Sequence, residues 1–320
     1  MCTAVCYAGH FGRNLDLPRS PGEQVVLTPR SFPLPLRDSP VMTAHHAMLG
    51  MAHIAAGYPL YYDALNEHGL AMAGLNFPGY AVYHPRRPGM DNVAPFELIP
   101  FVLGQCRTLA EACSLLEGVN LWQEDFSPAL PLTAMHWLMA DKTGAVVIEP
   151  LADGLRITDN PTGVLANAPD FGWHMTNLSR YLSLSPLQPE NRFSGAVDLQ
   201  PLSFGLGAVG LPGDLSSPGR FVRAAFAALN SPVLAGEGAA GQLFHILNFA
   251  AQSRGCARLP DGSAEMTLYT CCCDLSGGSY AYTTYDNPRP TVVSLRKELL
   301  PGRALISYPL RTQPDYYREN

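Results

Sequence analysis

The sequence contains no uncharged apolar run long enough to cross a bilayer, which takes about 20 residues in a helix. Its opening, MCTAVCYAGHFGRNLD, has no basic region followed by an apolar one, so no secretory signal is expected and the cytoplasm is the expected address. No basic cluster accompanies the net charge of −6, which argues against nucleic acid or a membrane surface as a partner. Charged residues are scarce, at 15% against a usual quarter. There is no repeat of fixed period, no low-complexity tract and no obvious linker. Eight cysteines are present, yet they lack the paired spacing of a zinc site. Cys271, Cys272 and Cys273 are adjacent, and in a strand they would point alternately to opposite faces, as small buried residues do. No metal or cofactor is therefore expected, and free thiols fit a reducing compartment.

What is present is the profile of one globular domain over residues 1–320 that takes a small molecule. Gly and Pro stand at 29 each, which implies many turns and ordered loops, with Pro-rich surface loops at 29–40 and 85–100. Strand signals dominate. Residues 3–8 and 11–17 flank Gly9 and predict an opening hairpin, and 135–140 and 145–149 flank another turn, continued by 155–158. Residues 268–275 and 280–285 predict a third hairpin. Helix signals lie between these groups: Thr108 with Glu111 as a capping box, Ser217 and Pro218 at the start of RFVRAAFAAL, and GQLFHILNFAAQ. Hairpins with helices clustered between them predict an α+β layered sandwich.

The chemistry-bearing feature is Cys2. Removal of Met1, favoured by a small second residue, would leave one residue carrying both a thiol and a free α-amine. That amine, with an ordinary pKa of about 7.7–8.0, can act as a base near neutral pH. Arg13 and Asp16 add an environment: a guanidinium beside a thiol favours thiolate, and a carboxylate can orient an amine. Folding about Gly9 brings residue 16 roughly opposite residue 2. Positions 13 and 16 differ by an odd number, so a regular strand cannot point both at Cys2, and a bend or bulge at residues 14–15 is expected. A surface ion pair on a hairpin is the alternative.

With these residues in view, the sequence resembles the choloylglycine hydrolase family, the bile salt hydrolases and penicillin V acylases among the N-terminal nucleophile hydrolases. The resemblance covers nearly the whole chain. It is carried by MCTAV, FGRNLD at 11–16, NEHGLAMAGLNFPGY at 66–80, MHW at 135–137, GVLANAPDFGWHMTNLSRY at 163–181, VGLPGDLSSPGRFVRAAF at 209–226, FHILN at 244–248 and LYTCCC. It implies a four-layer αββα sandwich of two antiparallel sheets and a homotetramer. It also implies a catalytic set of Cys2, Arg13, Asp16, Asn76, Asn167 and Arg220. In that set Cys2 forms a thioester, the Asn167 side chain and the Asn76 N–H form the oxyanion hole, and Arg220 completes the charged network. Arg220 falls in the first turn of a predicted helix, where a cation opposes the helix dipole, so Asp16 is the expected partner.

Asn at position 76, where penicillin V acylases of the family tend to have Tyr, favours conjugated bile salts as substrates. Leu17, Phe77, Tyr80 and Leu132 are candidates to line an apolar pocket for the steroid. Three departures bear on the choice between glycine and taurine conjugates: the opening hairpin turn is shorter than in many relatives, Pro18 follows the Arg13–Asp16 motif, and Gly219 stands where many relatives have Ser. The alternatives are a penicillin V acylase or other N-acyl amide hydrolase of the same fold, and a non-catalytic bile-acid or lipid carrier. Transfer of the acyl group to an amine is a further outcome the same thioester permits.

Overall fold

A two-residue turn sets the register at the start of the chain. The structure is a computed structural model that describes residues 1–234 and 236–320. Strands β1 (Cys2–Tyr7) and β2 (His10–Leu17) are joined by Ala8 and Gly9, both at positive φ, 47° and 76°. That is the backbone a tight hairpin demands, with glycine at the second position. The turn pairs Tyr7 with His10 and therefore Cys2 with Leu15, one residue short of the expected partner.

The chain then runs through β3 (Gln24–Thr28), β4 (Met48–Ala55), β5 (Tyr58–Asn66) and β6 (Ala71–Asn76). A short parallel pair, β7 (Asp91–Val93) and β8 (Val119–Leu121), brackets helices α1 (Leu98–Gln105) and α2 (Leu109–Leu116). The Pro-rich stretch 85–100 is thus only partly surface loop: it passes through β7 and enters α1 with Leu98 and Ile99 buried. The meander β9 (Met135–Asp141), β10 (Gly144–Leu151) and β11 (Gly154–Asp159) follows, then β12 (Val164–Leu165). Helices α3 (Phe171–Leu178), α4 (Ser217–Asn230) and α5 (Glu237–Asn248) precede β13 (Ala257–Arg258), β14 (Ala264–Asp274), β15 (Ser279–Thr284), β16 (Thr291–Ser294) and β17 (Ile306–Tyr308).

Two antiparallel sheets result. One has the order β12-β1-β2-β14-β15-β16, with β13 paired to β14, and the other runs β11-β10-β9-β6-β5-β4-β3-β17. Phe11, Leu15, Leu49 and Leu138 fill the space between the sheets, and the same core continues to Phe221 of α4 and Leu247 of α5. The far face of the second sheet, including Met72 and Trp137, buries Val102 of α1 and Leu116 of α2. The layers are helix, sheet, sheet, helix: the α+β, αββα sandwich that the resemblance implies. Among the described residues, no helix is long and apolar enough to cross a membrane.

Two caps differ instructively from expectation. Thr108 Oγ1 accepts from the Glu111 N–H at 3.2 Å, but the Glu111 carboxylate returns to the Arg107 N–H, one residue upstream of a reciprocal box. The N-cap of α4 is Ser216, which accepts from the Gly219 N–H at 3.1 Å, and not Ser217. The Ser217 hydroxyl is occupied elsewhere, accepting the Asn167 N–H at 2.9 Å.

Candidate active site

Cys2 begins β1 and is 2% exposed. Strand alternation puts it on the same face as its partner Leu15 and as Arg13, the face turned toward the second sheet. Arg13 crosses the gap between the sheets. Its Nη1 donates to the carbonyls of Tyr62 in β5 (3.0 Å) and Gly74 in β6 (2.7 Å), where these two strands part beyond the Asp63–Ala73 pair. Tyr62 is the extra residue of a bulge in β5, since Met51 pairs with Asp63 and Ala52 with Tyr61. Arg13 Nη2 is buried without a partner. Burial opposes the Arg13 charge, but Cys2, Tyr269, Asp63 and Cys271 together hold it firmly protonated.

The opposite face of β2 carries Gly12, Asn14 and Asp16 and looks toward the helices, as the bond from Asn14 Nδ2 to Leu247 O of α5 (2.7 Å) shows. Asp16 is fully buried. Its Oδ1 accepts from Thr267 Oγ1 at 2.6 Å, while Oδ2 has no hydrogen-bond partner and lies 3.9 Å from Arg220 Nη1. Burial pushes the Asp16 carboxyl above the ordinary range, against the pull of Arg220, Thr267, the chain's amino terminus and Arg13.

No bulge interrupts the β1–β2 pairing, so the expected bend at residues 14–15 is corrected: the irregularity lies in β14, where Leu268 is skipped between the pairs Thr267–Asp16 and Tyr269–Leu15. The parity conflict is resolved differently. Arg13 lies on the face of the Cys2 side chain, and Asp16 lies on the face from which the Cys2 backbone is gripped.

Asn167 and Arg220 complete that grip. Asn167 Oδ1 accepts from the Cys2 nitrogen (2.8 Å) and from Arg220 Nη2 (2.8 Å), and Asn167 Nδ2 donates to the Asn76 carbonyl (2.8 Å). These partners also settle which way the amide points. Arg220 Nη1 reaches the Cys2 carbonyl and Thr3 Oγ1, the latter at 2.6 Å, and Nε donates to Leu215 O at 3.1 Å. Asp16 is thus one of several partners that offset its position near the helix start, and burial still draws the guanidinium's pKa down. Gly219 abuts the Asp214 carboxylate, where a Cβ would stand 2.6 Å from Oδ1.

Asn76 ends β6 opposite Met135. The next bond of that ladder joins Phe77 N–H to Ala134 O at 2.8 Å, so the alternation of an antiparallel pair turns the Asn76 N–H and carbonyl away from β9, toward Asn167. Arg13, Asp16, Asn76, Asn167 and Arg220, five residues from four parts of the sequence, therefore gather around one buried cysteine.

A cavity of about 420 Å³ opens from Cys2, Arg13 and Asn76. Leu17 and Leu132 line it, as do Leu15, Leu60, Phe96, Ile99, Phe126 and Leu130. Phe77 and Tyr80 lie outside this lining: Phe77 is fully buried, stacked 4.1 Å from the His136 ring, and Tyr80 sits against Phe77's other side, 40% exposed. Most of the lining is apolar; Arg13 and Asn76 border the cavity with Cys2, and His53, Tyr61, Tyr62 and Thr133 add further polar groups.

Behind Arg13 lies a buried network with no counterpart in the sequence reading. Asp63 accepts from Tyr269 OH (2.5 Å), Tyr280 OH (2.6 Å) and Cys271 Sγ (3.5 Å), and it lies 4.0 Å from Arg13 Nε. The one signal that pointed to it was a lone acidic residue inside the apolar run of β5. Cys271 and Cys273 face the second sheet and Cys272 faces the helices, so the three thiols do not converge. The one cluster with metal-ligand spacing among the described residues is His46, Glu67 and His68, where Glu67 is already engaged by Arg30 and the Ala47 N–H.

Known proteins resemble the chain over nearly its whole length. A family model described as linear amide C–N hydrolases, choloylglycine hydrolase family, matches residues 2–308. A bile salt hydrolase/transferase of Lactiplantibacillus plantarum is 47% identical over 324 residues, covering 100% of both chains. The solved structure of a mutant conjugated bile acid hydrolase from Clostridium perfringens superposes with a TM-score of 0.93 at 32% identity, again over 100% of both chains. A penicillin V acylase from Agrobacterium tumefaciens shares the fold, with a TM-score of 0.71 at 20% identity over 96% of this chain and 91% of its own.

Proposed function

Because the chain belongs to the choloylglycine hydrolase family of linear amide C–N hydrolases, we propose that it cleaves the amide bond of glycine- or taurine-conjugated bile acids through a Cys2 thioester. One observation carries this reading. The Cys2 side chain shares an apolar cavity of about 420 Å³ with Arg13, while its nitrogen is held from behind by Asn167. A rigid apolar acyl group fits that cavity with its amide presented at the cysteine end.

In this reading Met1 is removed, and the atom that is now the Cys2 peptide nitrogen becomes the α-amine. The thiolate, facing the Arg13 cation, attacks the amide carbon. An Asn amide carries two donor hydrogens, and Asn167 Nδ2 spends one on Asn76 O, so the second and the outward-turned Asn76 N–H serve as oxyanion donors. The α-ammonium gives its proton to the departing nitrogen, releasing glycine or taurine and leaving the thioester. The neutral amine then takes a proton from water, which attacks the thioester carbon and expels the thiolate. An amino acid in the place of that water gives acyl transfer.

The proposal includes a single domain acting in the cytoplasm as a homotetramer. Eight unpaired cysteines support a reducing compartment. Large apolar side chains at 182–209, with Leu202 97% and Phe204 96% exposed, support a further protein contact, and a second copy of this chain is its simplest occupant. The test pairs an intact mass with assays of glycocholate, taurocholate and penicillin V. Loss of Met1 with release of glycine or taurine is expected. Faster turnover of penicillin V defeats the substrate assignment, and retained Met1 in active enzyme defeats the mechanism.

A further inference from the structure

We propose that Glu265 is an additional positioning residue, acting on the Cys2 α-amine through a water molecule bound where the Met1 nitrogen now lies. The inference rests on the N-terminal cysteine mechanism. In the structure the Met1 ammonium is held by Glu265 Oε1 at 2.7 Å and by the Asp16 carbonyl at 2.7 Å. It therefore stands in for whatever hydrogen-bond donor occupies that point once Met1 has gone. Glu265 is 6% exposed, and its second oxygen, Oε2, is buried with no partner. Once Met1 leaves, Oε1 loses its donor as well, and the carboxylate needs a replacement hydrogen bond at that point.

A water at the vacated nitrogen position resolves this. It would meet Glu265 Oε1, the Asp16 carbonyl and the Cys2 nitrogen, three polar partners, enough to order a water. The placement is built into the sheet. Thr267 pairs with Asp16 and donates to it, and Glu265, two residues before Thr267 in β14, points to the same face. The helix-facing side of β14 thus lines up Glu265 beside Asp16 under the chain's first nitrogen.

The charged groups around that nitrogen are Asp16 and Arg13 from β2, Arg220 from α4 with Asp214 before it, Glu265 from β14, and the Cys2 thiol itself. A carboxylate near an ammonium favours the charged form, so Glu265 raises the pH at which the amine becomes a base. Peptide geometry and the Met1 contact put Glu265 Oε1 within about 6 Å of the Cys2 nitrogen. Removing one charge at that distance with partial solvent screening shifts the titration by about one pH unit.

The experiment uses the Met1-free enzyme and its Glu265→Gln and Glu265→Asp variants. The acid limb of kcat/KM on glycocholate is recorded together with the 13C shift of the Cys2 Cα in protein labelled with 13C-cysteine, assigned against Cys2→Ala. Glu265→Gln is expected to move both titrations about one unit toward acid, while Glu265→Asp, which keeps the charge, stays near wild type. Coincident titrations in wild type and Glu265→Gln overturn the inference. The NMR arm needs no turnover: a shifted titration in an enzyme inert to glycocholate supports the role of Glu265 and removes the bile salt reading. Activity with unmoved titrations does the reverse. If Glu265→Gln does not fold, Glu265→Asp decides, because loss of the wild-type limb in that charged variant also counts against the proposal.

Discussion

Asn167→Ala and Asn167→Asp divide the work of one side chain between holding the nucleophile and stabilising charge. Asn167 is 5% exposed and makes three side-chain hydrogen bonds, two accepted at Oδ1 and one donated from Nδ2. Asn167→Ala leaves the Cys2 nitrogen, Arg220 Nη2 and the Asn76 carbonyl without their partner. At about 1 kcal/mol for each neutral bond and 1.5–3 for the charged one, the loss of stability is about 3–5 kcal/mol. That is a large share of a typical folding margin of about 5–15 kcal/mol. Asn167→Asp keeps an oxygen facing Cys2 and Arg220 but turns a second carboxylate oxygen toward the Asn76 carbonyl in place of the donor, so it should cost about 1–3 kcal/mol, less than Asn167→Ala. Its rate should fall as well. Loss of one oxyanion donor costs about 2.7–4 kcal/mol, or 10²–10³ in kcat. Urea unfolding read by linear extrapolation gives the first quantity, and glycine release from saturating glycocholate gives the second. If Asn167→Asp retains more than about a tenth of the wild-type kcat, the side chain is scaffold and not an oxyanion donor.

Three further outcomes follow from particular contacts. Cys2→Ala is expected to abolish hydrolysis while leaving unfolding unchanged within about 1 kcal/mol, since the change removes one sulfur from a site already open to the cavity; residual turnover above background would refute the nucleophile. Gly12→Ala drives a Cβ into the Cys271 carbonyl of the neighbouring strand, and because backbone cannot yield as a side chain does, a loss of at least about 3 kcal/mol in urea is expected, with activity lost alongside. Asp141 accepts the Leu109 N–H at the start of α2 (2.8 Å) and the Thr143 N–H in the β9–β10 turn (2.7 Å). Burial works against its charge, but these bonds and the Thr143 hydroxyl outweigh it and lower its pKa. A lowered carboxyl stabilises above the unfolded value near 3.9 and loses that contribution as pH falls through the folded value. Asp141→Ala should therefore cost about 1–2 kcal/mol at pH 7, with the gap closing in urea melts below about pH 4.

The hairpins and helices were legible because local rules govern them: Gly9 marks a turn, Asp141–Gly144 between two apolar runs marks the β9–β10 hairpin, and Thr108 marks a helix start. The site was legible only through motifs. No local pattern brings Asn76, Asn167 and Arg220 together, since they are assembled by strand order across two sheets. The cavity lining was harder still. Phe77 and Leu132 are alike in composition and neighbourhood, and one stacks on His136 within the core while the other borders the cavity. Asp63 escaped notice because a single acidic residue in a strand gives no sign of which sheet it will face. Its network became visible only when Tyr269 and Tyr280 were seen to converge on it from the other sheet.

The parity of Arg13 and Asp16 was readable, but its consequence was not. An odd separation looks like an obstacle if both side chains must reach one atom. Cys2, however, offers two functional atoms on two faces, a thiol toward the second sheet and a nitrogen held from the helix side. A bulge within β2 would have put Arg13 and Asp16 on one face, leaving either the Cys2 side chain without Arg13 on its face or Arg220 without Asp16. The unbroken β1–β2 register keeps them apart, and the extra residues fall elsewhere, at Leu268 in the neighbouring β14 and at Tyr62 in β5 of the facing sheet. There they free a carbonyl to receive Arg13 and shift β14 beside Asp16, so the irregularity serves the site without moving the strand that carries it.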